Sequence, residues 1–303
     1  MKKVLMVFAS CVMVAVLVVC VGCDPSTPEY KKIMAKDETD GHFYYYYDKK
    51  YLKGYAIVGD MGENNPEIMY LPAYYKGKEV KQVFYTAAIS SFGMRQETFG
   101  PSFKNVKKIY IPYTHPAYAY CIDSSKCSIQ EVYYPGTTFT KSGGLEDGSM
   151  DLWRYFVGFN TYKYVTIFYF YSDFYEIVLE ECIKNIEENP DFAYEKGLDE
   201  TFFSYGNKRF CYAKCNVVFY FNYKDSSNDN VFFVDHLDYG GTIKSTPYSP
   251  IRVGYEFTGW FKEAECVNKW KFDTDTLPTV DIDENGNVTE FIETKLYAGW
   301  RKI

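Results

Sequence analysis

The sequence predicts a mainly β chain with minor α: a solenoid of repeated strands followed by a small β domain. Three observations predict it. Aromatic residues make up 20% of the 303 residues, with 32 tyrosines, and such rings fill pleated, half-buried surfaces. An apolar-x-x-apolar-x-apolar pattern starts at Val80, Val106 and Ile129, at steps of 26 and 23 residues. Steps of this size suit a strand plus a return segment whose apolar face only its neighbours cover. From about Asn216 the chain alternates apolar and polar residues between glycine-rich turns, as hairpin-linked strands do.

Residues 1–22, MKKVLMVFASCVMVAVLVVCVG, place Lys2 and Lys3 before an almost uncharged apolar run that ends in small residues. This is the layout of a secretory signal peptide. Gly22-Cys23 resembles a bacterial lipobox, in which Cys23 is lipidated and becomes the mature N-terminus. Cys20 departs from the aliphatic residue usual three positions earlier. An uncleaved transmembrane helix is the alternative, because the run is long enough to span a bilayer. Small Gly22 and the lack of a polar stop-transfer pattern favour the lipoprotein. Two or more acyl chains give a stable anchor, whereas one gives only marginal binding. Residues 23–42 are polar, carry two prolines and read as a tether between lipid and folded body.

Residues 43–170 carry the repeat. Its copies are Val80-Val83-Tyr85, Val106-Ile109-Ile111, Ile129-Val132-Tyr134 and, a further 23 residues on, Leu152-Tyr155-Val157. NVKKIYIP and SIQEVYYP each end in proline, which lacks a donor, fixes φ and so ends a ladder and turns the chain. EIMYLPAYYKGKEVKQV, SFKNVKKIYIP and CSIQEVYYP together resemble the bacterial surface-antigen type of leucine-rich repeat. The resemblance spans about residues 55–140 and is degenerate, with Val, Ile and Tyr largely in place of leucine. A β-meander with turn prolines is the competing architecture.

Residues 171–215 form a helical or unassigned connector. YKYVTIFYFY reads as a buried strand. SDFYEIVLEECIKNIEENP spaces Phe174, Ile177, Val178, Cys182 and Ile186 as one helix face, with Ser172 as N-cap and Pro190 beyond the end. RFCYAKCNVVFYF reads as one extended strand. There Cys211 and Cys215 share a face about 13 Å apart, too far for a mutual disulfide.

Residues 216–303 carry the most specific pattern. Gly241, Pro250, Arg252, Gly254-Tyr255-x-Phe257-x-Gly259-Trp260, Trp270-x-Phe272 and Leu296-Tyr297-Ala298-x-Trp300 resemble the Listeria-Bacteroides repeat, or internalin B-repeat. The resemblance implies a small β-grasp-like domain, found on bacterial surface proteins as a spacer or interaction module. It also implies that Trp260, Trp270 and Trp300 are core residues rather than a sugar-stacking platform. Two insertions, at 225–238 and 279–293, lengthen the pattern and are the expected place for individual function.

Motifs for chemistry are few. Asp281, Asp283, Asn285, Gly286 and Asn287 are placed like the start of a calcium loop, but Ile292 stands where the closing bidentate carboxylate belongs. A hairpin turned by Asn285-Gly286 is the favoured reading. His42, His115 and His236 show no metal spacing, and Asp235-His236-x-Asp238 reads as a surface polar cluster. The cysteines beyond the anchor, Cys121, Cys127, Cys182, Cys211, Cys215 and Cys266, form no C-x-x-C pair. They are even in number, which permits disulfides without requiring them. No nucleophile-elbow, zincin, P-loop or dinucleotide motif is present.

Removing Lys2 and Lys3 from 33 basic residues leaves 31 against 40 acidic ones, a net charge of −9. That sign argues against nucleic acid as a partner. The expected function is a non-enzymatic, cofactor-free, lipid-anchored protein on the extracytoplasmic side, serving adhesion or protein binding. Its partner would be a surface protein or glycan, with membrane contact through the lipid on Cys23. The alternative is a carbohydrate-binding or hydrolytic lipoprotein with its site in residues 150–215, because the separation of carboxylates is invisible in sequence.

Overall fold

The computed structural model describes residues 38–49, 53–83, 103–114, 128–136, 165–187, 192–205, 208–224 and 230–303. The apolar leader, Cys23, most of the tether, His115, Cys121, Cys127 and the repeat copy at Leu152-Tyr155-Val157 lie outside them. Among the described residues no helix is long and apolar enough to cross a membrane.

Among the described residues sixteen strands and one longer helix follow in chain order. They are β1 (Glu38–Thr39), β2 (Tyr44–Asp48), β3 (Gly54–Gly59), β4 (Ile68–Tyr70), β5 (Tyr74–Tyr75), β6 (Lys78–Val83), β7 (Lys108–Tyr110) and β8 (Glu131–Tyr133). Next come β9 (Thr166–Phe170), α1 (Ser172–Glu187), β10 (Phe192–Lys196), β11 (Glu200–Tyr205), β12 (Lys208–Lys214), β13 (Val217–Tyr220), β14 (Val231–Asp235), β15 (Tyr255–Phe261) and β16 (Thr294–Lys302). The fold is mainly β, as expected. The first described strand begins at Glu38, inside the stretch read as tether.

Three sheets result. The first has the order β1-β2-β3-β6-β5, the second β10-β11-β12-β9-β8-β7-β4, and the third β14-β13-β16-β15. In the second, β4, β7, β8, β9 and β12 run parallel and join in chain order, with β10 and β11 closing it antiparallel. Met69, Ile109, Val132 and Phe168 occupy one register position, so only the step from Ile109 to Val132 keeps the expected 23 residues. Val80, read as the first repeat copy, lies in β6 of the first sheet. Met69 and Leu71, in EIMYLP, take its place beside β7. Met69-x-Leu71 repeats the Ile109-x-Ile111 spacing, as Val83-x-Tyr85 in the copy begun by Val80 also does, and only the partner strand distinguishes the two segments.

The connector supplies α1 and three strands of the second sheet. Phe174, Tyr175, Val178, Leu179 and Cys182 of the helix are buried, and Ile177, assigned to the inner face by spacing, is 48% exposed. Phe170 and Tyr212 pack against each other, and Phe170 also meets Phe174 beneath the helix. RFCYAKCNVVFYF is two strands rather than one. It breaks at buried Asn216, whose side chain accepts from Leu237 N (2.9 Å) and donates to Leu237 O (2.6 Å). The side-chain amide thus imitates a strand partner, and β13 leaves for the third sheet. Among the described residues, Cys211, Cys215 and Cys266 are free thiols.

In the third sheet the first and last strands, β13 and β16, are a central parallel pair, flanked antiparallel by β14 and β15. Val217, Val218 and Phe219 are all buried, so β13 is covered on both faces. Trp260 packs edge-on to Phe219 at 4.8 Å and to Phe257 at 5.2 Å. One continuous hydrophobic core joins this sheet to the parallel one.

Candidate functional site

The register of β4, β7, β8 and β9 also aligns Tyr70, Tyr110, Tyr133 and Tyr169. Alternation puts them on the face opposite Met69, Ile109, Val132 and Phe168. Neighbouring strands lie about 4.8 Å apart, close to the spacing of stacked rings, so a tyrosine repeated at one position stacks on the next. Successive centroids are 4.6, 4.3 and 4.8 Å apart, with planes tilted by 22°, 8° and 7°. His236 continues the stack beyond Tyr169 at 4.8 Å. Each such pair adds about 0.5–1.5 kcal/mol beyond its buried area.

The middle of the stack is closed by β14. Phe233 lies 5.3 Å from Tyr110, and the Tyr110 hydroxyl donates to Asp235 Oδ1 at 2.8 Å. Asp235 also accepts from the His236 amide at 2.9 Å. Beside them Lys108 Nζ pairs with Glu131 at 2.7 Å, and the Tyr133 hydroxyl donates to the same carboxylate. Burial pushes the Asp235 carboxyl up to about 6, against the pull of the Tyr110 and His236 hydrogen bonds and of Lys108. Burial also lowers the His236 pKa, opposed by its contact with the Lys214 carbonyl.

The far end of the stack is open. Tyr70 is 41% exposed and Ile68, two residues earlier on the same face, 47%. They border a cleft of about 300 Å³, whose lining includes Phe43, Met61, Pro66, Met69 and Pro72 with Asp40, His42 and Asn65. A ligand-sized, mostly apolar hollow with a few polar groups is the usual form of a binding site. The β1–β2 turn supplies one wall. Asp40 Oδ1 accepts from the amides of His42 and Phe43, both at 2.8 Å, and Oδ2 from the Tyr45 hydroxyl. Burial raises the Asp40 pKa, but these hydrogen bonds outweigh it and hold the carboxylate below its usual value. Asn65 is only 6% exposed; its Nδ2 donates to Asp60 Oδ2 at 2.7 Å, and its Oδ1 accepts nothing.

Other sequence expectations fall elsewhere. The Asp281–Asn287 segment is a hairpin, with Ile282 bridged to Val288 and the Gly286 amide donating to Asp283 O. Only Gly286 has positive φ there, +85°, and Asn285 does not. The Asp283 side chain accepts from Asn285 N and Asn287 N, so the pattern that imitated a calcium loop builds a turn. Among the described residues no group of His, Cys, Asp or Glu could hold a metal ion. Asp235 and His236 are not a surface cluster: they sit where the third sheet meets the tyrosine stack.

The C-terminal sheet has a counterpart among known proteins. Residues 218–283 match the family model of the Listeria-Bacteroides repeat domain. Within that stretch Trp260 and Trp270 are buried, as expected. Gly254 precedes β15 with φ +78°, whereas Gly259 lies within the strand at φ +130°, beside a bulge between Phe257 and Gly259. Both segments read as insertions in the repeat domain help hold it to the parallel sheet. The 225–238 segment supplies Asp235 and His236, and the 279–293 segment supplies Glu293, which accepts from Ser172 N at 3.3 Å and from its hydroxyl. A carboxylate there meets the positive end of α1 and accepts from its first amide. Sequence reasoning missed this because the two residues are 121 positions apart. It also missed the tyrosine stack, although tyrosine recurs in IMYLP, KIYIP, EVYYP and IFYFY.

Proposed function

We propose that this is a non-enzymatic, lipid-anchored cell-surface protein that binds a protein or glycan partner. The observation that carries the reading is the Listeria-Bacteroides repeat match at residues 218–283, a domain type suggestive of surface proteins. The apolar leader ending at Gly22-Cys23 supports export and lipidation, and the cleft beside Tyr70 is the binding site in this reading. The chain-ordered parallel strands β4, β7, β8 and β9 support a degenerate leucine-rich-repeat solenoid. The third sheet, with its outer strands flanking a central parallel pair, supports a β-grasp-like module. Cells fed radioactive palmitate should label the wild-type chain and leave Cys23→Ala unlabelled; equal labelling of both would refute the anchor.

A hydrolytic reading has one observation in its favour. Burial and the neighbouring Asp199 raise the Glu200 pKa in β11, as a general acid would require. Release of reducing sugar from cell-wall glycans, abolished by Glu200→Gln, would establish it in place of the binding reading.

A further inference from the structure

Building on the binding reading, we infer that the partner at the Tyr70 cleft is an uncharged, extended peptide that pairs with the edge of β4 that no described strand covers. Strand β4 ends the seven-stranded sheet. Lys108 N donates to Glu67 O and Leu71 N to Tyr110 O, both at 3.0 Å, so Glu67 and Leu71 turn their main-chain groups toward β7. Alternation then turns those of Ile68 and Tyr70 the other way. No described strand pairs with them on that side, and an edge of this kind is a template for an added strand.

Three further features define what fits. Pro66 and Pro72 bracket the edge and limit the pairing to the few residues between them. The cleft alongside is lined mainly by apolar side chains, among them Phe43, Met61, Ile68 and the end ring Tyr70, which suits an apolar or aromatic side chain of the incoming strand. The charges flanking the strand are already matched, Lys104 with Glu63 and Lys107 with Glu67 at 2.7 Å, and the Asp40 carboxylate in the cleft wall is taken up by the His42 and Phe43 amides and the Tyr45 hydroxyl, so a neutral partner leaves no charge there unmatched. Asn65 adds a buried acceptor without a donor. Buried polar atoms are rarely left so, and a peptide N–H is the kind of donor it lacks. A glycan could stack on Tyr70 but has no use for a row of main-chain donors and acceptors.

The test screens the full-length chain in detergent against phage-displayed random decapeptides and, in parallel, a glycan array. The selected peptide is then synthesised for titration. Enrichment of neutral sequences with alternating apolar residues is expected. Ile68→Pro removes one outward N–H while leaving the β7 side intact, and should weaken the synthetic peptide about tenfold, the scale of one lost main-chain hydrogen bond. If that variant does not fold, N-methylating alternate amides of the peptide against the wild-type chain makes the same cut from the other side. Peptide binding unmoved by either change would overturn the inference. Glycan binding without peptide binding would overturn it too and leave the general binding reading standing. Binding of neither library would overturn both.

Discussion

Replacing Asp235 by Asn should stabilise this protein above pH 6 and do little below pH 4. The Asp235 carboxyl is raised from 3.8 to about 6 in the folded state, chiefly by burial. Between those values the folded chain binds a proton that the unfolded chain has released, so stability falls as pH rises through this window. The gap of about two units corresponds to a cost of about 3 kcal/mol at neutral pH for holding the ionised group in the interface. Asparagine keeps an oxygen that can accept from the Tyr110 hydroxyl and the His236 amide, as Asp235 Oδ1 does at 2.8 and 2.9 Å, and it carries no charge to desolvate. The attraction of Lys108, which favours the ionised form, is already contained in that gap, but the asparagine NH2 must be desolvated in its place, which takes back part of the gain. A net gain of about 1–3 kcal/mol is therefore expected. Urea denaturation of wild type and variant at pH 4 and pH 7.5 measures it, with His236 common to both chains and so cancelling in the difference. A variant less stable than wild type at pH 7.5 would refute the reasoning, because it would mean that the ionised carboxylate is a net attraction there.

Trp260→Ala should cost about 3–5 kcal/mol, because Trp260 is buried among Phe219, Phe232 and Phe257; a calorimetric transition unchanged from wild type would contradict this. Glu293→Ala removes the acceptor at the start of α1 and should cost about 1 kcal/mol, seen as faster amide exchange in the first turn of the helix. Gly259→Ala should destabilise the third sheet by about 1–3 kcal/mol, because φ is +130° and a Cβ would meet the Lys269 side chain. A Gly259→Ala chain with an unshifted melting temperature would show that the bulge relaxes freely.

The β character, the helix and the strands KIY and EVY were legible because each rests on local pattern. Lys108–Tyr110 and Glu131–Tyr133 sit between an apolar residue and a proline, and the helix has its apolar spacing. What could not be read was partnership. Val80 and Met69 both belong to apolar-x-apolar segments, and only the tertiary arrangement sends one to the first sheet and the other to the second. The split of RFCYAKCNVVFYF had a signal in Asn216, a residue that competes for main-chain groups, placed mid-run. In the candidate site, Asp40 and Asn65 gave no sequence signal, because the cleft joins the β1–β2 turn to β4 across distant chain. Asp235 and His236 were visible as a pair, but their burial depends on a face of the parallel sheet more than 100 residues away, as the 125-residue separation of Tyr110 and Asp235 records.

The pairing of β13 with β16 has a mechanical consequence. The two strands lie side by side in the same direction over the positions Val217↔Thr294 to Tyr220↔Tyr297. A pull on the start of β13 and on the end of β16 drags them past each other lengthwise. Their cross-links are then loaded together rather than opened one at a time, as a zipper would be. A chain tethered at one end and gripped near the other would meet its stiffest resistance at this pair.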